Sequence, residues 1–465
     1  MHTSCNQSSY QQAVANMEKN RRILLVTFPE QGHINPSLEF AKRLAKMGVE
    51  VTFVTTSFAL NRMAKRAPTL RGLKMVGFFE GQDKRWTEVD DLEQFMAELR
   101  RCGSEAIKLL ITSSIEKGQP FDHVVYTIFL PWVGQLAHDL HPPFLLSTTI
   151  SSTVYGDPIR NIACSDYIEL PGLPPLAAPD LPLFLQASNC YNFVFPLLKE
   201  HLEIVELETN PKILVNTFNA LEAEALRATE KLNLVGVGPL IPSAFTDGKD
   251  PSDTSFGGDL FQNSSDYIEW LNSKPQGSIV YVSFGTMSVL SKRQIDEIAS
   301  GLQESHRPFL WVIRASSEGD KEEQLKFTEK LEKRGMIVPW CSQLEVLSHP
   351  SVGCFVTHCG WNSSLESLVS GVPVVAFPQW SDQTTNAKLI EDVWKTGIRV
   401  VKNKEGIVEG NEIRKCIDIV MGGEGRGEEM RRNAQKWKSL AREAAKEGGS
   451  SDLNLNNFLR RVKAV

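Results

Sequence analysis

The chain has 465 residues, of which 42% are hydrophobic and 23% are charged, so it can fold into two large α/β domains and is too apolar for a disordered protein. Its 50 Lys and Arg residues against 56 Asp and Glu residues give a net charge of −6, which argues against nucleic acid or an anionic membrane as a partner. An anionic ligand must therefore be bound by local groups within a site.

Eight cysteines are scattered along the chain without the density of a disulfide scaffold or the paired spacing of a structural zinc site. No run approaches the roughly 18 apolar residues of a membrane span, and residues 1–20 lack the apolar stretch of a signal peptide. We therefore expect a soluble, monomeric, cytoplasmic protein with reduced thiols and a disordered N-terminal extension over residues 1–20.

The first structured segment is the apolar run at 22–28, which has the length of a buried strand. Asn35 as an N-cap and Pro36 in the first helical position predict a helix that starts there and ends at Gly48. A buried strand at 49–55 then completes a βαβ unit of a parallel sheet. Further strands are predicted at 123–126 and 212–216.

Residues 150–200 mix aromatic residues with Pro and Gly in no clean period, which is typical of loops and short helices that line an apolar pocket. The strongest change in composition, towards Gly, Pro, Ser and Asp, follows at 242–262 and predicts an interdomain linker. We therefore place an N-terminal domain at 21–241.

Alternation of strands and helices restarts after the linker and predicts a second doubly wound α/β domain at 263–450. Its predicted strands lie at 278–284, 309–313, 336–338, 353–357 and 372–377, and its helices at 292–304, 362–370, 409–421 and 426–447. A closing helix at 451–465 is expected to pack back on the N-terminal domain. Two such domains leave a cleft at the carboxyl ends of their strands, where ligands of α/β proteins bind.

A site for an anion is predicted where the strand at 353–357 turns into the next helix. The chain has no G-x-G-x-x-G after the first strand of either half and no P-loop, so an ordinary dinucleotide or P-loop site is not supported. Instead, Asn362 is expected at a helix N-cap, with free backbone N–H groups that can hold phosphate oxygens. Residues with further donors or acceptors are His358, Ser363, Glu366, Gly285 and Thr286.

Each of these residues also has a plain structural interpretation. His358 alone is more often a structural histidine, Trp340 alone is more often core, and Asn362 with Ser363 can be a simple cap. A metal site built from Cys341, Cys354, His358 and Cys359 lacks standard ligand spacing, so no metal site is predicted. Taken together, these residues indicate a function more strongly than any one of them does alone.

The 44 residues 340–383 resemble, end to end, the plant secondary-product glycosyltransferase box of the UDP-sugar-dependent family. The segment 32–36, Gly-His-Ile-Asn-Pro, matches the N-terminal motif of that family as well. The resemblance covers the chain after residue 20. The segment Pro131-Trp132 and the linker sequence look closest to the anthocyanin 5-O-glucosyltransferase and crocetin glucosyltransferase group.

The resemblance implies a GT-B architecture, in which two Rossmann-like doubly wound domains face a central cleft. The domain at 21–241 would bind the acceptor and the domain at 263–450 the UDP-sugar. The resemblance also implies roles for individual residues. Trp340 looks like the residue whose indole stacks on uracil, while Gln343 and Glu366 resemble the ligands of the ribose hydroxyls. The diphosphate ligands would be Thr286, His358, Asn362 and Ser363. Asp382 and Gln383 resemble the pair that binds the hexose, and Gln383 together with Trp361 is similar to members that use UDP-glucose.

The reaction implied by the resemblance is inverting transfer, in which an acceptor oxygen attacks the anomeric carbon and His33 removes its proton. Most relatives orient this base with an aspartate at the end of the strand that here reaches Thr127, and Asp122 lies at the opposite end of that strand. Threonine cannot compensate an imidazolium charge. We therefore expect acceptors that are already acidic, such as carboxylic acids or acidic phenols.

No D-x-D sequence occurs, so we expect transfer that needs no divalent metal and no cofactor beyond UDP-glucose as donor substrate. Aromatic residues that could wall an acceptor pocket, although each is individually more often plain packing, are Phe129, Trp132, Tyr155, Phe184, Tyr191 and Phe193.

Two other hypotheses share the architecture. One is a sugar-nucleotide epimerase or phosphorylase. The other is a nucleotide-sugar-binding protein with weak or no catalysis, which Thr127 would favour.

Overall fold

The computed structural model describes residues 21–63, 69–79, 89–140, 144–148, 167–170, 172–185, 194–208, 212–228, 232–258, 260, 266–313, 331 and 334–461. Within these residues the chain forms two parallel sheets, one in each half, with helices on their faces. This confirms the predicted architecture of two doubly wound lobes.

The sheet of the N-terminal lobe has the strand order β3-β2-β1-β4-β5-β6-β7 among the described residues, and all its pairings are parallel. Its strands are β1 Arg22–Val26, β2 Glu50–Thr56, β3 Leu73–Phe78, β4 His123–Thr127, β5 Phe144–Thr148, β6 Ile213–Val215 and β7 Leu234–Gly236.

The sheet of the C-terminal lobe has the order β10-β9-β8-β11-β12-β13, again parallel throughout the described part of the chain. Its strands are β8 Ile279–Ser283, β9 Phe309–Val312, β10 Gly335–Val338, β11 Val352–Thr357, β12 Val374–Ala376 and β13 Gly397–Arg399. The strand order reverses between β1 and β4 and between β8 and β11. Loops after these strands therefore open the crevice in which α/β proteins bind ligands.

The described α-helices are α1 Gln31–Lys46, α2 Ser57–Met63, α3 Val89–Glu116, α4 Pro131–Leu140, α5 Val194–Glu206, α6 Asn219–Ala228, α7 Asp266–Asn272, α8 Lys292–Glu304, α9 Gln343–Ser348, α10 Trp361–Ser370, α11 Gln383–Lys388, α12 Gly410–Met421, α13 Arg426–Ala445 and α14 Ser450–Arg461. None of them combines the length and the apolar content needed to cross a membrane.

Strand β1 shows why a continuous apolar run forms the middle of a sheet. Leu24 and Val26 pack into one hydrophobic core, while Ile23 and Leu25 pack into another on the opposite face, below α1. All four are at most 1% exposed. A strand buried on both faces needs apolar residues at every position, because successive side chains point to opposite sides.

The predicted start of α1 is wrong. Asn35 is not its N-cap, because the helix begins at Gln31 with Glu30 in the N-cap position, and Pro36 lies inside the helix. Proline at this position has no N–H to donate to the carbonyl of Gly32, four residues earlier, so that carbonyl needs another donor. His33 consequently lies in the first helical turn and not in the loop before it.

The predicted linker packs along α1. Lys42 Nζ lies 2.7 Å from Glu39 and 2.5 Å from Asp253 of the linker, and the side chain of Gln31 binds the backbone of the linker at Gly258 and Leu260. This linker is therefore fixed against the helix that carries His33 in its first turn.

Replacing Lys42 with methionine is expected to lower the free energy of unfolding by about 3 kcal/mol, because the buried carboxylates of Glu39 and Asp253 would lose the buried cation that they share. They would keep only their more exposed partners, Arg43 and Lys46. Lys46→Met is the matched control. Lys46 also pairs with Asp253 but is 38% exposed, so its loss is expected to cost less than about 1 kcal/mol. Urea unfolding of both variants measures the difference, and equal losses would contradict a buried ion pair at Lys42.

The C-terminal helix α14 packs on the N-terminal lobe. Leu455, Phe458 and Leu459 join the core around Ile23 and Val51. The chain therefore crosses back to the first lobe after completing the second.

The remaining predicted strands and helices are present, with bounds that differ from the sequence estimate by at most two residues. The closing helix ends its described part at Arg461, and residues 1–20 lie outside the described residues. Elements that the sequence reading did not identify include β3, α3, α4, β5, β7, α9, α11 and β13.

Candidate functional site

Helix α10 opens towards the cleft with its N-terminus free of side-chain caps. Its N-cap is Gly360, so the prediction that Asn362 caps the helix is wrong, and Asn362 is the second helical residue. The turn before it places Cys359 at φ 64°, supported by a hydrogen bond from Cys359 N to Thr357 Oγ1. Backbone N–H groups of the first turn without such caps can donate to an anion.

His358 lies between two glycines at this turn. A Cβ atom on Gly285 or on Gly360 would come within 2.6 Å of His358 Nε2, and Gly285 has φ +72°, so both positions require glycine. The packing brings the loop after β8, which carries Gly285 and Thr286, against the start of α10. Burial lowers the pKa of His358 to about 4, because a desolvated imidazole disfavours its charged form.

Gln343, Ser363 and Glu366 form one hydrogen-bonded group. Gln343 Nε2 donates to Ser363 Oγ at 2.8 Å and to Glu366 Oε2 at 2.7 Å, while Tyr281 donates to Gln343 Oε1 at 3.3 Å. Burial raises the pKa of Glu366 to about 7, although the hydrogen bond from Gln343 acts in the opposite direction. The group can accept hydrogen bonds from hydroxyls of a ligand beside α10.

Asp382 and Gln383 are held at the N-terminus of α11. Gln383 Oε1 accepts from the backbone N–H groups of Gln379 and Trp380 at 2.9 and 3.0 Å, and Asp382 Oδ2 accepts from Asn386 at 2.8 Å. The side-chain oxygen of Gln383 is therefore occupied, which leaves the N–H groups of its side-chain amide as donors. Burial raises the pKa of Asp382.

The two tryptophans of the predicted site differ in position. Trp340 follows β10 and is partly exposed. Trp361 is 4% exposed, and its indole donates to the carbonyl of Asn216 in the N-terminal lobe at 2.8 Å. The indole of Trp361 thus joins the two lobes instead of facing a ligand, and only its backbone N–H lies at the helix start.

His33 stands between two aromatic rings in the first turn of α1. Its ring centroid is 5.2 Å from that of Phe28 and 5.1 Å from that of Phe129. Its Nδ1 atom is buried without a hydrogen-bond partner among the described residues. Burial lowers the pKa of His33 to about 4, so the imidazole is neutral at cellular pH.

Neither residue that could replace an aspartate is paired with His33. Thr127 Oγ1 accepts from the backbone N–H of Phe28 at 2.9 Å, and Asp122 accepts from the backbone N–H of Arg22 at 2.6 Å, at the other end of the sheet. Among the predicted pocket aromatics, Trp132 and Phe184 belong to the core of the N-terminal lobe. Tyr155, Tyr191 and Phe193 lie outside the described residues.

Asn362 connects the two halves of the site, a contact that the sequence reading missed. Its Nδ2 donates to the carbonyl of Gly32 at 2.7 Å, which is the carbonyl left without a helical donor by Pro36. The signal in the sequence was a proline four residues after this glycine, within a helix. The C-terminal lobe therefore supplies the missing hydrogen bond beside His33.

The described residues contain no group of three or more His, Cys, Asp or Glu side chains placed to hold a metal ion. The arrangement instead combines a neutral imidazole on one lobe with an uncapped helix terminus on the other. Such a site can bind an anionic group on the C-terminal lobe and remove a proton on the N-terminal lobe.

Comparison with protein families gives a match over residues 201–427 to the model described as "UDP-glucoronosyl and UDP-glucosyl transferase". The chain is 56% identical to phloretin 4'-O-glucosyltransferase of Malus domestica, over 96% of this chain and 98% of that protein. It is 52% identical to the chloroplastic crocetin glucosyltransferase of Gardenia jasminoides, over 95% of this chain and 98% of that protein.

Among solved structures, the chain is similar to Os79 from O. sativa, whose crystal structure contains UDP. The TM-score is 0.85 at 33% sequence identity, and the match covers 95% of this chain and 100% of that one. The similarity therefore extends over both lobes and over the cleft between them.

Proposed function

The chain belongs to the family of UDP-glucuronosyl and UDP-glucosyl transferases, and from that membership we propose that it transfers glucose from UDP-glucose to a phenolic hydroxyl or a carboxylate of a small apolar plant metabolite. The product forms with inversion at the anomeric carbon. The observation that carries this proposal is the uncapped start of α10 facing His33 across the cleft.

The donor binds along the C-terminal lobe. Trp340 stacks on uracil. Gln343 and Glu366 accept hydrogen bonds from the ribose hydroxyls. The diphosphate lies at the start of α10, held by its backbone N–H groups with Thr286, His358, Asn362 and Ser363. Asp382 and Gln383 bind the hexose, since one presents a carboxylate oxygen and the other its amide N–H groups.

His33 acts as the general base. The acceptor oxygen attacks the anomeric carbon, its proton passes to the imidazole, and the bond to UDP breaks on the opposite face of the sugar. The charge on the leaving diphosphate is met by the helix terminus and His358, so the transfer needs no metal. Because the pKa of His33 is about 4, the base is unprotonated at cellular pH but weak.

A weak base favours acceptors that give up their proton easily. Carboxylic acids are already ionised near neutral pH, and acidic phenols are partly so. The aromatic surface of Phe28 and Phe129 around His33 suits a flat apolar molecule. We infer that the acceptor is bound by the lobe formed by residues 21–241 and the donor by residues 263–450, joined by the linker 242–262.

The compartment and the oligomeric state belong to the proposal as well. The scattered cysteines support the cytosol as the compartment, and five cysteines in the described residues are free thiols. The monomeric state stays a prediction. The crocetin relative, in contrast, is named as chloroplastic.

The proposal is tested by incubating the full chain with UDP-glucose and a panel of phenols and aromatic or apolar carboxylic acids, with products identified by mass spectrometry. Glycoside and UDP in equal amounts are the expected result, unchanged by EDTA. A converted hexose without acceptor would instead support an epimerase, and UDP binding without any turnover would support a binding protein.

Affinity for UDP-glucose is expected to rise by about tenfold between pH 6 and pH 8. The pKa of Glu366 is raised to about 7, so the carboxylate that accepts ribose hydroxyls is present above this pH and is lost as the pH falls through it. Calorimetry with UDP-glucose is the measurement, because its esterified phosphates do not titrate in this range. Glu366→Gln should bind more weakly and lose the pH dependence, and an unchanged dependence in that variant would contradict the assignment.

A further inference from the structure

Residues 178–185 of the N-terminal lobe lie against the C-terminal lobe beside Asp382 and Gln383, and we call them the bridging segment. Leu183 N donates to the carbonyl of Ser381 at 2.8 Å. In return, Thr384 Oγ1 donates to the carbonyl of Leu181 at 2.7 Å. Because Phe184 in the same segment is buried in the core of the N-terminal lobe, the bridging segment is fixed to both lobes.

Asp180 is the charged centre of this contact. Its side chain is 5% exposed and lies 2.7 Å from Arg399 Nη1 and 3.6 Å from Lys388 Nζ. It also accepts from the backbone N–H of Ala177 at 3.1 Å. A carboxylate buried to this extent is costly without its cations, so the two ion pairs hold the segment in one position against the C-terminal lobe.

The partners of the bridging segment lie next to Asp382 and Gln383, which we assign to hexose binding. Thr384, Thr385 and Lys388 all lie on α11, the six-residue helix that begins at Gln383 with Asp382 as its N-cap. Thr385 Oγ1 donates to the backbone carbonyl of Asp180 at 2.7 Å. A displacement of the bridging segment would therefore move the helix that presents both hexose ligands.

We propose that Asp180 is a positioning residue for the hexose subsite, which it sets by pairing with Arg399 and Lys388 across the lobes. The inference rests on the proposed function of Asp382 and Gln383. We assign Asp180 no contact with donor or acceptor, because its carboxylate is paired with Arg399 and Lys388. It acts through α11, and it fixes the distance between the sugar and the lobe that binds the acceptor.

The test compares Asp180→Asn with the unaltered enzyme. The KM for UDP-glucose is expected to rise about tenfold, while the dissociation constant of UDP stays within about twofold, because uracil, ribose and diphosphate are bound by α9 and α10. The preference for UDP-glucose over UDP-galactose should fall, since the ligands of the hexose hydroxyls lose their fixed position.

Asp392→Asn is the matched control. Asp392 pairs with the same Lys388 at 2.7 Å, but its side chain is 43% exposed. Its replacement should change neither KM nor sugar preference. A second variant, Thr384→Val, removes a hydrogen bond to the bridging segment without leaving a buried charge, and a smaller rise of the same kind is expected from it.

The inference is overturned if Asp180→Asn and Thr384→Val keep the KM of the unaltered enzyme, or if the affinities for UDP and UDP-glucose fall in parallel. A failure of the proposed function looks different, because the unaltered enzyme itself would then transfer no glucose.

Discussion

Replacing His33 with alanine is expected to lower kcat for transfer to a phenol by about 10³-fold, within the range that a positioned acid or base contributes. The dissociation constant of UDP should stay within about twofold, because the donor residues lie on the other lobe. The acceptor keeps its site, but no group within reach takes its proton. For carboxylic acids the loss should be smaller, since they are already ionised.

Steady-state kinetics with one phenol and one carboxylic acid, at saturating UDP-glucose, give the measurement. His138→Ala is the control, because His138 is an exposed histidine of the same lobe, 40% exposed, and its loss should leave both rates unchanged. If His33→Ala transfers glucose to the phenol at the original rate, His33 is not the base.

Residues 340–383 show which part of the candidate site can be predicted from the sequence. The strand, turn and helix from β11 to α10 are local structure, so the neighbourhood of His358, Ser363 and Glu366 follows from their order in the chain. Gln343 and Glu366, whose side chains form a hydrogen bond, are only 23 positions apart in the chain. Local order was therefore enough to place most of the residues assigned to the donor.

Contacts between the two lobes could not be predicted from local sequence order. Asp180 and Arg399 are separated by 219 residues, and Asn362 and Gly32 by 330. The start of α1 was misplaced for the same reason. Proline usually marks the first helical position, yet here a donor from the other lobe satisfies the carbonyl that Pro36 leaves free, so the helix extends towards the cleft.

Some elements were missed for local reasons. Strands β7 and β13 have three residues each, which is too short for a clear period. Strand β12 is equally short but was predicted, because it lies within the longer apolar run at 372–377. Helix α3, in contrast, carried a readable signal. Leu92, Phe95 and Leu99 are buried on one face at helical spacing.

Thr127 stands where the family resemblance places an aspartate. The question is therefore how the base works without that carboxylate. The structure leaves His33 Nδ1 buried and without a partner among the described residues, with a pKa of about 4. Thr127 Oγ1 is engaged by the backbone N–H of Phe28. The imidazolium formed during transfer would therefore be uncompensated, which raises the barrier for acceptors that hold their proton firmly.

Thr127→Asp is expected to raise kcat/KM for a weakly acidic phenol or an alcohol by about 10²- to 10³-fold, and to change the rate with a carboxylic acid little. One carboxylate oxygen can accept from Phe28 N as Thr127 does now, and the other can compensate the charge on His33. The pKa of His33 then rises towards its ordinary value, because a nearby negative charge favours the imidazolium.

The pH dependence of kcat/KM for the acceptor, at saturating UDP-glucose, tests the sign of this change. A base works above its pKa and fails as the pH falls through it, so the unaltered enzyme should keep its base down to about pH 4, whereas Thr127→Asp should lose activity at a higher pH. Thr127→Asn matches the aspartate in shape without its charge. If the Asp and Asn variants share one rate and one pH profile, a missing charge is not what limits His33.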